Sequence, residues 1–111
     1  NPRVKRALCE SVRFMPRETQ VPVLEKLLKT KDMNSKEFLA ENMIFIPDYY
    51  KHKEWLVELL DGADNTVRRS LAKGIDTITE PKYQKEWIDL ILQNADSSVK
   101  KIIDKKLSSD L

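Results

Sequence analysis

Laid along itself, the chain matches its own pattern about every 32 residues. Lys53-Glu54-Trp55 returns as Lys85-Glu86-Trp87 (53 to 85 is an offset of 32), in step with Leu60 and Leu92, Ala63 and Ala95, Asp64 and Asp96, Val67 and Val99. One period earlier, Leu24, Leu27, Leu28 and Asp32 meet Leu56, Leu59, Leu60 and Asp64, while Leu39, Ala40 and Ile46 meet Leu71, Ala72 and Ile78. The register persists over three copies. A unit of this size is too small to bury its own apolar face, so such units stack and bury one another's.

Within each period the apolar spacing is helical. Val67, Leu71, Ile75 and Ile78 step by four, four and three, which sets them on one face of a helix. Val99, Ile102, Ile103 and Leu107 do the same, and Val23, Leu24, Leu27, Leu28 and Leu56, Leu59, Leu60 form two-row stripes. Pro47 and Pro81 stand where one helix ends or the next begins, and Pro22 suits a first turn. Asp64-Asn65, Asp96-Ser97 and Asn34-Ser35 read as N-caps, with Glu37 supporting the third. These signals predict seven helices near 2–14, 19–30, 35–46, 49–61, 65–79, 82–93 and 97–108. They form one domain over 1–111, built of hairpin units at 2–30, 35–61 and 65–93 and a terminal helix at 97–108. The first copy joins the register only after a shift of one residue.

Composition excludes several alternatives. Two glycines leave little material for tight β-hairpin turns, and 34% charged with 7% aromatic residues argues against a sandwich or barrel. Cys9 and His52 are the sole residues of their kinds. No intramolecular disulfide or histidine/cysteine metal site is therefore available, and no cofactor is expected. Cys9 reads as a small buried hydrophobe and His52, between Lys51 and Lys53, as a surface residue. A single cysteine suits a reducing cytoplasmic setting. No apolar run approaches the ~20 residues of a membrane span. The chain opens at Asn1 instead of methionine, as a piece of something longer would.

The stretch Asp64-Asn65-Thr66-Val67-Arg68-Arg69-Ser70-Leu71-Ala72 resembles the HEAT-like repeat family, whose inner helix opens with Asp, two variable residues and Val-Arg. Asp96-Ser97-Ser98-Val99-Lys100 is similar, with lysine for arginine. The resemblance implies an all-α, right-handed α-α superhelix. It also implies structural roles for Asp64 and Asp96 as caps and for Arg68 and Lys100 in pairing with acidic groups of neighbouring turns. Inner-helix variable positions face a concave groove in that family. Here they fall on Lys5, Arg6, Cys9 and Arg13; Glu37, Phe38, Glu41 and Phe45; Asn65, Thr66, Arg69, Ser70, Lys73 and Thr77; and Ser98, Lys101 and Lys105. The strongest partner-binding candidates are Arg13, Phe38, Glu41, Phe45, Arg69, Lys73, Lys101 and Lys105. They make a groove basic at both ends with an acidic and aromatic interruption between.

These residues point to a non-enzymatic scaffold that binds a protein partner in the groove. Trp55 and Trp87, at equivalent positions beside Leu56 and Ile88, read as packing between hairpins. The alternative is a nucleic-acid-binding domain, in which groove cations meet phosphates and Tyr49, Tyr50, Trp55 and Trp87 offer stacking surfaces. A net charge of +2 gives that alternative little help. A glycosylase of the DNA alkylation repair branch needs a groove carboxylate flanked by tryptophans, and neither tryptophan falls on the groove helices. The last expectation is self-association through Val99, Ile102, Ile103 and Leu107, left without a covering helix.

Overall fold

Seven α-helices form where the period places them. The computed structural model describes residues 2–108, with α1 Pro2–Ser11, α2 Arg17–Leu27, α3 Met33–Asn42, α4 Lys53–Leu60, α5 Asn65–Lys73, α6 Pro81–Leu92 and α7 Ser97–Ser108. No strand occurs among the described residues. The ends differ from expectation in a regular way. Helices α1, α3 and α5 each tighten into a short 3-10 turn, over Val12–Phe14, Met43–Phe45 and Ile75–Thr77, and the first residue of each turn is buried. A further 3-10 turn at Tyr49–Lys51 precedes α4.

Local chemistry repeats with the period. The side chain of Asp32 caps α3 by accepting from Ser35 N–H at 3.0 Å, and that of Asp64 caps α5 by accepting from Val67 N–H at 3.1 Å. Asp96 accepts from Ser98 N–H at 3.0 Å just before α7. Asn34-Ser35 is thus not the cap of the third helix: Asp32 is, so that the three caps stand at 32, 64 and 96. Helices α4 and α6 are followed by Gly62 at φ +69° and Asn94 at φ +61°, again 32 apart (62 to 94). Glycine and asparagine are the residues that enter this left-handed region at least cost.

The helices lie in two layers. In one, α1 packs on α3, α3 on α5 and α5 on α7; in the other, α4 packs on α6, and α2 rests against the turn that ends α1. Between the layers runs one continuous core. It includes Val12, Leu24, Leu39, Met43, Leu56, Leu59, Val67, Ile75, Trp87, Ile91 and Val99, all nearly inaccessible. Full burial of each such side chain is worth roughly 1.5–3 kcal/mol against exposure. Trp87 donates its indole N–H to Tyr50 O at 2.9 Å and takes the edge of Tyr49 at 5.2 Å, while Trp55 stacks on His52 at 3.8 Å.

The C-terminal apolar strip is not the open edge expected of it. Val99 and Ile103 are buried in the core and Ile102 and Leu107 are partly buried against it, because α7 turns its apolar row onto α5 and α6. Exposed apolar side chains lie elsewhere, at Val4, Leu8, Phe14, Ile44, Phe45 and Val57. The strip is therefore covered in part within the chain itself, with Ile102 and Leu107 its only partly exposed members.

Two stability measurements follow from the caps. Asp64→Ala, which removes the acceptor for Val67 N–H, costs about 1 kcal/mol in chemical denaturation. Asp32 titrates below its usual 3.8, chiefly because Ser35 hydrogen-bonds its carboxylate, with Lys5 adding to the effect. A depressed carboxyl contributes stability above pH 3.8 and loses it as the pH falls through the folded value. The melting-temperature gap between the native chain and Asp32→Ala accordingly narrows as the pH drops from about 5 toward 2; a gap independent of pH would exclude an ionic role for the cap.

Candidate interaction surface

The face of α1, α3, α5 and α7 turned away from the second layer carries most of the groove candidates, and it divides into two unlike halves. On the α1–α3 half, the Arg13 guanidinium lies between two rings, 4.8 Å from the centre of Phe14 and 4.5 Å from that of Phe45. Phe14 is 76% exposed, Phe45 51% and Ile44 36%. Arg13 Nε is buried and has no hydrogen-bond partner. Cation–π contacts of this kind contribute about 0.5–1 kcal/mol at exposed sites. A little further along, Arg6 sits over Phe38 at 4.9 Å and pairs with Glu10 at 3.2 Å and Glu41 at 3.1 Å. Phe38 itself is partly buried against the core.

On the α5–α7 half the cations are divided between structure and solvent. Arg69 donates to Ser98 Oγ and to Thr66 Oγ1, each at 3.1 Å, and lies 3.7 Å from Asp96. Asn65 Oδ1 accepts from Asp96 N–H at 3.0 Å. Together these tie the first turn of α5 to the first turn of α7. Lys73, Lys101 and Lys105 are exposed, and their ammonium groups enter no hydrogen bond or ion pair among the described residues. Lys73 shares a shallow depression of about 170 Å³ with Glu41, Ile44, Ser70 and Gly74, which joins the two halves.

Several expectations change. The cations of the α1 end are partly engaged: Arg6 pairs with Glu10 and Glu41 and Lys5 turns to Asp32 at 3.3 Å, while Arg13, held between two rings, makes no ion pair among the described residues. Cys9 is not a groove residue; it is buried, with its thiol 3.9 Å from Ser35 O, and burial pushes the thiol up from its ordinary range. Arg69 is a strut between helices, and Thr77 gives its hydroxyl to a 2.6 Å bond with the Tyr49 hydroxyl. Arg68 does not pair with an acidic group. It donates to the carbonyls of Ala63 at 2.7 Å and Asp64 at 3.4 Å, and its Nε is unpartnered. Lys100 is exposed, with no ion pair among the described residues. Tyr49, Trp55 and Trp87 are buried, so they provide no stacking platform for bases.

The sequence reading missed the side chains that lock the layers together. Lys36 is buried and donates to the carbonyls of Glu58 at 3.0 Å, Leu59 at 3.3 Å and Asp61 at 2.6 Å, sealing the C-terminal end of α4. Burial lowers its ammonium from the usual lysine range, while Asp61 and Glu58 act in the opposite sense. Gln20 donates to Val12 O at 3.0 Å and Gln84 to Ile75 O and Ile78 O at 3.2 Å, so both satisfy carbonyls of the 3-10 turns. Phe14 was also overlooked, although it stands one shifted period before Phe45 (14 to 45 is 31).

Among the described residues no group of three or more His, Cys, Asp or Glu could hold a metal ion, and no helix is long and apolar enough to cross a membrane. Comparison with family models, curated proteins and solved structures finds no match. The surface must be interpreted from its own geometry.

That geometry separates exposed from structural aromatics. Phe14→Ser and Phe45→Ser each shift unfolding free energy by no more than about 1 kcal/mol, whereas Phe38→Ser, which strips a ring packed on the core, costs about 2–4 kcal/mol. Urea denaturation of the three variants distinguishes them.

Proposed function

We propose that the chain is a non-enzymatic, HEAT-like interaction module that holds a protein partner against the α1–α3–α5–α7 face. The observation that carries this reading is the Phe14–Arg13–Phe45 cluster. Two large rings stand in solvent around a guanidinium whose buried Nε has no hydrogen-bond partner among the described residues. Aromatic and arginine side chains are the groups most enriched at protein–protein hot spots. Unpaired Lys73, Lys101 and Lys105 on the same face add a cationic flank that steers an acidic region of the partner. In this reading the helical layers are part of a right-handed superhelix, the setting is cytoplasmic, and Asp64, Asp96, Arg68, Trp55 and Trp87 serve architecture alone.

The alternative of a nucleic-acid surface loses support from the buried aromatics and the neutralised Arg6. The two readings separate with variants that leave the fold intact. Phe14→Ser with Phe45→Ser reduces capture of a bound protein from cell extract about tenfold relative to the native chain, if the aromatic cluster is a hot spot. Identical capture by both chains removes the proposal. Lys73→Glu with Lys101→Glu is the second arm, chosen because Arg69 holds α5 to α7 and its reversal would disturb the helices themselves. Salt-sensitive binding of duplex or single-stranded DNA that this pair abolishes would replace the protein reading with the nucleic-acid one.

A further inference from the structure

A second surface lies between α1 and α2, where residues of α3 complete its lining. Aligned by the period, Lys5, Lys36, Arg68 and Lys100 occupy one position (offsets of 31, 32 and 32). In the second hairpin Lys36 fills this place, reaching across from α3 to bond three carbonyls at the end of α4. In the first hairpin the corresponding carbonyls belong to Lys26, Leu27 and Lys29, yet Lys5 turns away to Asp32. The end of α2 also lacks the left-handed residue that closes α4 and α6: Thr30 stands where Gly62 and Asn94 stand. Beside this unlatched end, residues of α1, α2 and α3 line an open cleft of about 610 Å³.

The lining of this cleft specifies an occupant. Leu8, Val23, Leu27 and Leu39 make its walls apolar, with Cys9 at depth. The apolar surface continues outward along α1 from Leu8 to Val4, one turn away and 64% exposed. A stripe of that length, open at its side, suits the apolar face of a helix better than a small enclosed ligand. At the margin stand Lys5, Lys26 and Lys29, all exposed; Lys26 and Lys29 have no ion pair among the described residues. Cations on three sides of an apolar trough call for carboxylates flanking an apolar row. We infer that the cleft between α1 and α2 receives an acidic amphipathic helix from a partner protein. Its leucine-like row would enter between Leu8 and Leu27, and its carboxylates would meet Lys26 and Lys29. The site is separate from the Phe14–Phe45 face and stands or falls independently of it.

The test uses the whole chain and a designed probe. A fluorescein-labelled Leu/Glu peptide of about 18 residues, with leucines at helical spacing, is long enough to be helical when bound. Fluorescence anisotropy is expected to show saturable binding. A scrambled peptide of the same composition, and a version with Lys for Glu, are expected to bind at least about tenfold more weakly. Leu8→Glu and, separately, Lys26→Glu with Lys29→Glu are expected to weaken the probe about tenfold, all three positions being exposed or peripheral to the core. Phe14→Ser with Phe45→Ser is expected to leave it unchanged. Equal binding of ordered and scrambled peptides, loss of binding on the Phe14/Phe45 change alone, or displacement of the probe only by a simple fatty acid that itself needs no helical partner would overturn the assignment. So would the absence of any saturable binding.

Discussion

Everything in this molecule hangs on direct contact between alternate helices. α1 touches α3, α3 touches α5 and α5 touches α7, and the first three of these helices carry a small buried residue at one period position: Cys9, Ala40 and Ala72, spaced by 31 and 32 residues. A larger side chain at these points would hold the backbones apart and open voids that a close-packed interior does not tolerate. The approach is tight at the far end as well. A Cβ placed on Gly74 would lie 2.5 Å from Ile44 Cγ2, so α3 and the end of α5 are spaced for glycine. Once these helices are fixed, the second layer has a defined surface on which to lay Leu56, Leu59, Trp87 and Ile91.

The polar groups then decide how firmly each hairpin closes. The four basic residues at one period position show how far a shared side-chain type can diverge. Lys36 is buried on the end of α4, Arg68 bonds the loop before its own helix, Lys5 pairs with the neighbouring cap, and Lys100 stays in solvent. A lysine buried without partners would cost several kcal/mol. Lys36 avoids that cost because three carbonyls freed at a helix end point at it, the place where orphan acceptors and the negative end of the helix dipole coincide. Space remains even there, since a cavity of about 270 Å³ is lined by Lys36, Glu58, Asp61 and Gly62. A cavity of about 400 Å³ lies beside Arg68, lined partly by Glu58, Asp61 and Gln93, and the apolar cleft of 610 Å³ lies beside Lys5.

How much of this was legible in the sequence depends on the range of the interaction. Helix number and type were readable from apolar spacing alone, since Val67, Leu71 and Ile75 commit α5 to one face whatever surrounds it. The caps were readable in kind, and the period would have corrected the third to Asp32, aligned with Asp64 and Asp96. The latches were not readable. Nothing local distinguishes Lys36 from Lys5; the difference is whether the neighbouring outer helix ends within reach. The same holds for Arg69, which looks like a free groove cation until α7 brings Ser98 and Asp96 to it. Phe14 was hidden by the one-residue shift of the first copy, which disguised its equivalence to Phe45. The expected apolar edge at Ile102 and Leu107 was misplaced because burial of α7 depends on its rotation against α5 and α6, a tertiary property.

The candidate surfaces arise where the period decays. Apolar positions that repeat faithfully, such as Val67 with Val99 or Trp55 with Trp87, face inward, where packing restricts the residue. Positions that drift face outward: Glu10, Glu41, Lys73 and Lys105 occupy one row, changing from acid to base along the stack, and Phe14, Phe45 and Thr77 occupy another, changing from aromatic to polar. Uniform stacking cannot create such a gradient, because neighbouring copies need the same inner residues and place no demand on the outer ones. A face that is aromatic at α1 and α3 and cationic at α5 and α7 therefore has a direction, and a partner matched to both halves can bind it in only one orientation.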